Sequence, residues 1–196
     1  MKIGIDFDNT IACYDGVFYQ VALDQKLIPV DLDSSKSSVR NYLRSKNLED
    51  EWTKLQGYVY GSRMDLAKTY NGIIQFVEFC GENNIELVIV SHKSKHPYLG
   101  PKYDLHSAAK SWLESIPTLN KVDTYFELTL EKKLRRIALS NCDFFIDDLP
   151  ELLNEPSFPE GVKKILFDPQ GMHLESQGYR RFNSWHEIRD FFKSLS

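Results

Sequence analysis

Five short, largely apolar runs recur along this chain, four of them ending in a polar residue, and they constrain the fold more than any other feature of the sequence. The five runs are KIGID (2–6), IELVIVS (85–91), VDTYFEL (122–128), DFFID (143–147) and KKILFD (163–168). The second run is almost continuously apolar, which is typical of a central strand that is covered on both faces. Apolar residues at helical spacing lie between these runs. Strands that alternate with helices predict an α/β domain with a mostly parallel sheet.

Apolar residues with i, i+3, i+4 spacing predict helices that begin near Ile73, Leu105 and Leu130. A further helix is predicted at the end of the sequence, where Ser184 and Glu187 have the spacing of a capping box. These helices supply the connections that a parallel sheet requires.

The stretch 14–67 holds no convincing strand. Its apolar residues occur at helical spacing instead, for example Val17 and Val21. A run of about fifty residues is far longer than an ordinary connection between strands. We therefore predict a small helical insertion that stands over the sheet edge where the first strand ends, with a core formed by residues 1–13 and 68–196.

The composition limits the classes of function. The chain has 196 residues, of which 42% are hydrophobic and 27% charged, and this is enough apolar material for a domain core. A formal net charge of -4 does not favour a nucleic-acid polymer or an anionic membrane as a partner. The three cysteines have no close spacing, which favours reduced thiols and a cytoplasmic location. Asp6 and Asp8 interrupt the first apolar run, so we expect no signal peptide, and no run has the length of a membrane span.

Polar side chains follow three of the predicted strands. They are Asp6, Asp8 and Thr10 after the first strand, Ser91, His92 and Lys93 at the end of the second, and Asp147 and Asp148 at the end of the fourth. In parallel α/β sheets, ligands bind outside the carboxyl ends of the strands, so these groups can converge on one place. A single aspartate after a strand is usually a turn or cap residue. Three such strand ends in one chain favour a functional site.

The order of these groups resembles the motifs of the haloacid-dehalogenase superfamily, whose phosphatases carry Asp-x-Asp-x-Thr after the first strand. The matching segments are DFDNT (6–10), LVIVS (87–91), LEKKLRRI (130–137) and FFIDD (144–148). They stand in the order of the four family motifs. The resemblance implies a Rossmann-like parallel sheet of about five strands flanked by helices, with a small helical cap inserted after the first strand.

The resemblance also implies an activity and a role for each matching residue. The chain would be a magnesium-dependent phosphomonoester hydrolase, with Asp6 as the nucleophile that forms an aspartyl-phosphate and Asp8 as general acid and base. Ser91 and a lysine of the third motif would bind the phosphoryl group. The Mg²⁺ ligands would be Asp6, the backbone carbonyl of Asp8, Asp147 and, through water or as a second-layer group, Asp148. The substrate would be a small phosphorylated metabolite such as a sugar phosphate.

Either Lys132 or Lys133 can be the lysine of the third motif. With Leu130 set at zero and a turn of about 100° per residue, the apolar stripe of this helix is centred near about 25°. Lys133 then falls at the edge of the stripe, whereas Lys132 falls on nearly the opposite face. We therefore assign the role to Lys133 and keep Lys132 as the alternative.

The residues that bind the rest of the substrate are less sharply defined by the sequence. We assign substrate binding to Thr10, His92 and Lys93, although the Thr10 hydroxyl is better suited to supporting its own loop. The basic stretch 92–106 follows Ser91 directly. It is either a solvated loop or a contact for a second anionic group of the substrate, and both interpretations stay open.

Several other functions can be compared with these motifs. An EF-hand calcium loop requires Gly and Glu at positions where this chain has Ile11 and Val17, so it is rejected. A phospho-accepting receiver domain would place its accepting aspartate after the third strand, and the order of the runs does not fit.

A non-catalytic phosphate-binding domain of the haloacid-dehalogenase superfamily stays open. The segment IDDLPELL (146–153) is similar to 5'-deoxyribonucleotidases, so a nucleotide is the second candidate substrate. The oligomeric state cannot be read from the sequence.

Overall fold

A computed structural model describes residues 1–195 as two compact units. The first, here called the sheet unit, contains Met1–Ala12, Thr69–His92 and the residues from Ile116 onward. The second, here called the helical unit, contains Cys13–Lys68 and Lys93–Ser115.

The sheet unit is built on a parallel sheet that has six strands over the described residues. They are β1 (Lys2–Ile5), β2 (Glu86–His92), β3 (Asp123–Glu127), β4 (Phe144–Asp147), β5 (Lys163–Phe167) and β6 (Arg180–Phe182). Their spatial order is β3-β2-β1-β4-β5-β6, and every neighbouring pair is parallel. This is the strand order of a Rossmann-like fold, in which the direction of progression reverses beside β1. The predicted α/β class and parallel sheet are confirmed.

The sixth strand was not predicted from the sequence. Residues 180–182 read Arg-Arg-Phe, are only partly buried and form an edge strand beside β5. A strand of three residues with two arginines shows no apolar run. Its pairing therefore depends on the neighbouring strand rather than on a local pattern.

Strand β1 lies in the centre of the sheet and carries the start of the first motif. Ile5 is level with Ile89 of β2 on one side and with Ile146 of β4 on the other. The backbone N–H of Asp6 donates to the Ile146 carbonyl over 2.9 Å, so the pairing continues one residue beyond β1. The first aspartate is therefore held by the sheet itself.

Helices cover both faces of the sheet. They are α4 (Ile73–Glu82), α6 (Leu130–Leu139), α7 (Pro150–Leu153) and α8 (Trp185–Lys193). Leu134, Ile137 and Phe145 belong to the buried cluster on the α6 face, and Phe192 of α8 packs its ring 4.9 Å from that of Phe144. Burial of such large apolar side chains is the main stabilising contribution, of roughly 1.5–3 kcal/mol for each.

The start of α8 differs in one detail from a capping box. Ser184 caps the helix, since its hydroxyl accepts from the backbone N–H of Glu187 over 3.2 Å. The Glu187 carboxylate, however, accepts from the N–H of Asn183 over 2.8 Å and not from that of Ser184. The acidic partner thus bonds one residue further out than the sequence spacing predicts.

The helical unit contains four helices among the described residues. They are α1 (Val17–Asp24), α2 (Lys36–Ser45), α3 (Glu49–Ser62) and α5 (Leu105–Glu114), with a 3-10 turn at Met64–Leu66. The two-residue strands Ala12–Cys13 and Lys68–Thr69 form a separate small sheet. Within the described part of the chain, no helix combines the length and the apolar character that a membrane span would need.

The division of the chain differs from the one drawn from the sequence, because residues 93–115 group with the helical unit and not with the sheet. Trp112 of α5 donates its indole N–H to the Ala67 carbonyl over 3.0 Å in a buried position. Two glycines of α3 also let the segment 97–103 approach closely. A Cβ at Gly57 would lie 2.6 Å from Cβ of Pro97, and a Cβ at Gly61 would collide with Tyr103. These contacts are long-range and leave no periodic signal.

Candidate active site

Three aspartate carboxylates meet at the carboxyl ends of β1 and β4, where the strand order reverses. Asp6 follows β1, Asp147 ends β4 and Asp148 comes next. One oxygen from each carboxylate lies within 4.8 Å of the other two. Asp6 and Asp147 are buried and Asp148 is half-buried. Like charges at such separations repel one another, so this acidic cluster requires positive charge nearby.

Lys133 supplies one positive charge from α6. Its Nζ lies 2.6 Å from Oδ1 of Asp6 and 2.6 Å from Oδ2 of Asp147, and its side chain is 2% exposed. Burial acts to lower the pKa of this lysine, but the charges of Asp147 and Asp6 outweigh it and raise the pKa above the ordinary value. The group is therefore an ammonium ion at neutral pH. Lys132 is exposed.

The local sequence of α6 explains why Lys133 points inward. The Thr129 hydroxyl accepts from the Lys132 N–H over 3.2 Å and so sets the first turn of the helix. Leu134 and Ile137 are buried against the sheet and fix the face that the helix presents. Lys133 lies beside that face, as the helical geometry of the sequence predicted.

Burial and crowding shift the acid equilibria of the cluster. Burial raises the pKa of Asp6 to about 7; Lys133 opposes the rise, and the charges of Asp147 and Asp8 add to it. The pKa of Asp148 is raised well above its usual range, first by burial and then by the charges of Asp147 and Asp6. Both shifts express the cost of burying several carboxylates beside a single ammonium ion.

The donor set fits a magnesium ion. Three ionised carboxylates and one ammonium leave the cluster with two negative charges, which a divalent cation would neutralise. All of the donors are oxygen atoms, as a hard cation prefers. One oxygen from each carboxylate lies within 4.8 Å of the other two, so the three are close enough for one cation to contact all of them.

The loop after β1 turns back on itself and carries Asp8. Asn9 has a left-handed backbone with φ 58°, which asparagine tolerates better than most residues. The Asn9 N–H donates to the Ala12 carbonyl over 2.9 Å, and Asp8 forms a β-bridge with Ala12. Asp8 is half-buried, and its charge contributes to the raised pKa of Asp6.

Thr10 supports this loop. Its hydroxyl donates to Oδ1 of Asp148 over 3.3 Å, and its backbone carbonyl accepts from Nε1 of Trp185 over 3.0 Å. Thr10 and Trp185 are both fully buried. The structure therefore ties Thr10 to the acidic cluster.

The remaining predicted site residues lie at the end of β2 and just after it. Ser91 is buried within that strand, which neighbours β1, and His92 ends the strand with an exposed side chain. Lys93 is the first residue of a segment of the helical unit, where its Nζ lies 4.7 Å from the ring centroid of Tyr60. Of the three, only Ser91 is buried in the sheet unit.

Two contacts of the site were not identified from the sequence. Trp185 lies 175 residues from Thr10, and no local pattern indicates that its indole reaches the loop. The N–H of Leu149 donates to Oδ1 of Asp147 over 2.9 Å. The sequence does contain a signal for this second contact, because Pro150 begins α7 and Asp-Asp-Leu-Pro is typical of a turn that leads into a helix.

Solved structures with the same architecture were found by comparison. A protein from Clostridium acetobutylicum described as a predicted phosphatase has a TM-score of 0.61 and 18% identity, over 99% of this chain and 98% of that one. A haloacid-dehalogenase superfamily hydrolase from Ehrlichia chaffeensis has a TM-score of 0.55 and 19% identity, over 99% and 96%. The chain has the haloacid-dehalogenase fold. The fold that the four ordered motifs predicted is thus confirmed.

A third structure with the haloacid-dehalogenase fold comes from Bacillus subtilis and was solved with bound magnesium. It has a TM-score of 0.58 and 11% identity, over 97% of both chains. No family model matches this sequence, and no curated protein matches it either. At these identities the likeness establishes the haloacid-dehalogenase fold. The reaction has to be inferred from the residues of the candidate site.

Proposed function

We propose that this protein is a Mg²⁺-dependent phosphomonoester hydrolase that works through an aspartyl-phosphate on Asp6. The observation that carries the proposal is the position of Lys133, whose buried ammonium lies 2.6 Å from carboxylate oxygens of both Asp6 and Asp147. A structural ion pair needs one carboxylate, whereas this lysine faces two and Asp148 stands beside them. Such a charge arrangement suits the binding of a cation and a phosphoryl group together.

The proposed reaction has two steps. In the first, a carboxylate oxygen of Asp6 forms a bond to phosphorus while the ester P–O bond breaks, and Asp8 gives its proton to the leaving oxygen. In the second, water attacks phosphorus, Asp8 takes a proton from that water, and the bond between Asp6 and phosphorus breaks. Inorganic phosphate leaves, and both aspartates return to their starting states.

The residues around the nucleophile have separate proposed roles. Asp147, Asp148, Asp6 and the backbone carbonyl of Asp8 would hold Mg²⁺, which when bound offsets the repulsion between a carboxylate and a phosphate dianion. Lys133 keeps its proton and restrains the Asp6 carboxylate. Ser91 would donate its hydroxyl to a phosphoryl oxygen.

The substrate we propose is a small phosphorylated metabolite such as a sugar phosphate. The helical unit would serve as the cap that selects it. His92 and Lys93 are proposed contacts for a second polar group of the substrate, whereas Thr10 acts through the loop that it supports. A cytoplasmic location is proposed from the free cysteines, among them the buried Cys80.

The proposal is tested by phosphate release from an aryl phosphate in the presence of Mg²⁺. We expect Asp6→Asn to lose activity by a factor of about 10³ or more, because the nucleophile is removed. Asp143→Asn is the matched control, since Asp143 is exposed and its carboxylate accepts from the backbone N–H of Lys2, away from the acidic cluster. Chelation of divalent metal should stop turnover, and added Mg²⁺ should restore it. Full activity of Asp6→Asn would contradict the proposal.

A further inference from the structure

A pocket separate from the acidic cluster opens near the amino ends of β4, β5 and β6. Its volume is about 320 Å³, and its apolar lining includes Phe144, Ile165 and Phe191. Phe144 begins β4 and Asp147 ends it, so about 10 Å of strand separates this pocket from the acidic cluster. A ligand in the pocket would lie at the opposite end of β4 from the proposed catalytic residues.

Three basic residues line this pocket, Lys163, Lys164 and Arg180, and two of them share one face of the sheet. Lys163 of β5 is level with Phe144 of β4, and Arg180 of β6 is level with Ile165 of β5. Lys163 and Ile165 lie on the same face of β5, because side chains alternate along a strand. Lys163 and Arg180 therefore share one face of the sheet, with Cα atoms roughly 8 Å apart by strand geometry. Both side chains are long enough to reach a single anion placed between them.

Each of these cations lies over an aromatic ring. Nζ of Lys163 is 5.0 Å from the ring centroid of Phe144, and Cζ of Arg180 is 4.5 Å from that of Phe191. Among residues 1–195 neither cation forms an ion pair. A cation–π contact leaves the positive charge without a counter-ion, so both groups can still bind an anion.

The carboxylates closest in sequence to the pocket residues are bonded elsewhere. Asp143, which precedes Phe144, accepts from the backbone N–H of Lys2 over 2.7 Å. Asp190, which precedes Phe191, pairs with Arg189 and Lys193. The pocket therefore combines an apolar lining with a positive rim.

We propose that this pocket binds a small amphipathic anion. A phosphate or carboxylate group would lie between Lys163 and Arg180, and an apolar body would lie against Phe144, Ile165 and Phe191. The volume is at the lower end of the range for small-molecule sites, which favours a compact ligand over a macromolecule. The positive rim and apolar lining together select against neutral apolar compounds and against purely polar anions. This site is independent of the proposed phosphatase activity.

The test is a binding titration of the full chain with two non-hydrolysable probes, naphthalene-2-carboxylate and naphthalene-2-ylmethylphosphonate. The variant Lys163→Gln/Arg180→Gln removes both cations, and both positions are exposed, so the fold should be kept. The control is Lys110→Gln/Arg135→Gln, which changes the net charge equally. Lys110 is exposed on α5 and Arg135 is exposed on α6, and neither lines the pocket. Circular dichroism checks folding, and single Arg180→Gln replaces the double variant if that variant is unfolded.

We expect the double variant to bind at least one probe more weakly by a factor of about ten or more, because a charge-assisted contact is lost at each position. The control variant should bind as the wild type does. The relative affinity of the two probes will distinguish a carboxylate ligand from a phosphate ligand. The proposal is overturned if neither probe shows saturable binding, if the control loses as much affinity, or if uncharged naphthalene-2-methanol binds as tightly as both anions.

Discussion

Nζ of Lys133 lies 2.6 Å from Oδ1 of Asp6, although 127 residues separate the two in the sequence. The same nitrogen lies 2.6 Å from Oδ2 of Asp147, so one side chain joins α6 to the ends of the two central strands β1 and β4. The ammonium is buried with both partners. Loss of this group would leave two buried carboxylates without their cation, and it therefore affects stability as well as chemistry.

Replacement of Lys133 by methionine should destabilise the metal-free protein by about 3–5 kcal/mol, the usual cost of breaking a buried ion pair from one side. Urea unfolding measures the change. Lys132→Met is the matched control, because Lys132 is exposed and its replacement should alter the free energy of unfolding little. Lys133→Met should also lose most phosphate release from an aryl phosphate. Equal effects of the two substitutions would contradict the assignment of Lys133 as the lysine of the third motif.

Mg²⁺ should stabilise the protein more at about pH 8 than at about pH 5.5, because the metal competes with a proton. Burial raises the pKa of Asp6 from 3.8 to about 7, so the folded metal-free protein holds that proton more tightly than the unfolded chain does. The stability that this protonation gives the folded, metal-free protein is present in full below pH 3.8 and is lost as the pH rises through about 7. The measurement is the shift of Tm on adding Mg²⁺ at each pH. A shift independent of pH would contradict this expectation, and Asp6→Asn should reduce the pH dependence.

Trp185→Phe should lower kcat while KM changes little. The substitution keeps an aromatic ring but removes the bond from Nε1 to the Thr10 carbonyl, in the loop that carries Asp8. A buried carbonyl left without a donor costs about 1–3 kcal/mol. Trp112→Phe is the control, since it removes a similar buried bond to Ala67 in the helical unit. We expect comparable losses of stability from both and a loss of kcat on an aryl phosphate from Trp185→Phe alone. Unchanged kcat in that variant would limit Trp185 to a structural role.

Asp168→Asn should destabilise the protein at neutral pH and less so in acid. Although burial acts to raise the pKa of Asp168, backbone bonds from His173 and Met172 and the bond from Arg181 lower it. The stability that this carboxylate contributes is present above its unfolded pKa of 3.8 and is lost as the pH falls through the lower folded value. Thermal unfolding across this range measures it. Glu175→Gln, at an exposed partner of Arg181, should change little, and an equal loss there would contradict the assignment.

The parts of the fold that position the acidic cluster were predictable because local physics determines them. A strand that is buried on both faces must be apolar along its length, so β1, β2 and β4 are visible as short runs. The direction of Lys133 follows from the turn of one helix. In each case the signal lies within about ten residues of the feature that it predicts.

Other parts depend on contacts between distant segments. The edge strand β6 (Arg180–Phe182) exists because β5 offers it a partner. Residues 93–115 join the helical unit because Gly57 and Gly61 leave room for the segment beside α3. The bond from Trp185 to Thr10 spans 175 residues. Periodicity along a sequence contains no information about such pairs.

The central claim is tested most directly by trapping the phosphoryl group on Asp6. With an aryl phosphate whose phenolate leaves readily, the first step needs little acid, whereas the second still requires Asp8 as a base. Asp8→Asn should therefore accumulate phosphorylated protein in the presence of Mg²⁺. Acid quenching followed by peptide mass spectrometry should find one added HPO₃ group on Asp6, and the double variant Asp6→Asn/Asp8→Asn should show none. The account would be contradicted if the wild-type protein releases phosphate but the Asp8→Asn protein carries no phosphoryl group on Asp6. A phosphoryl group on another residue would contradict it as well.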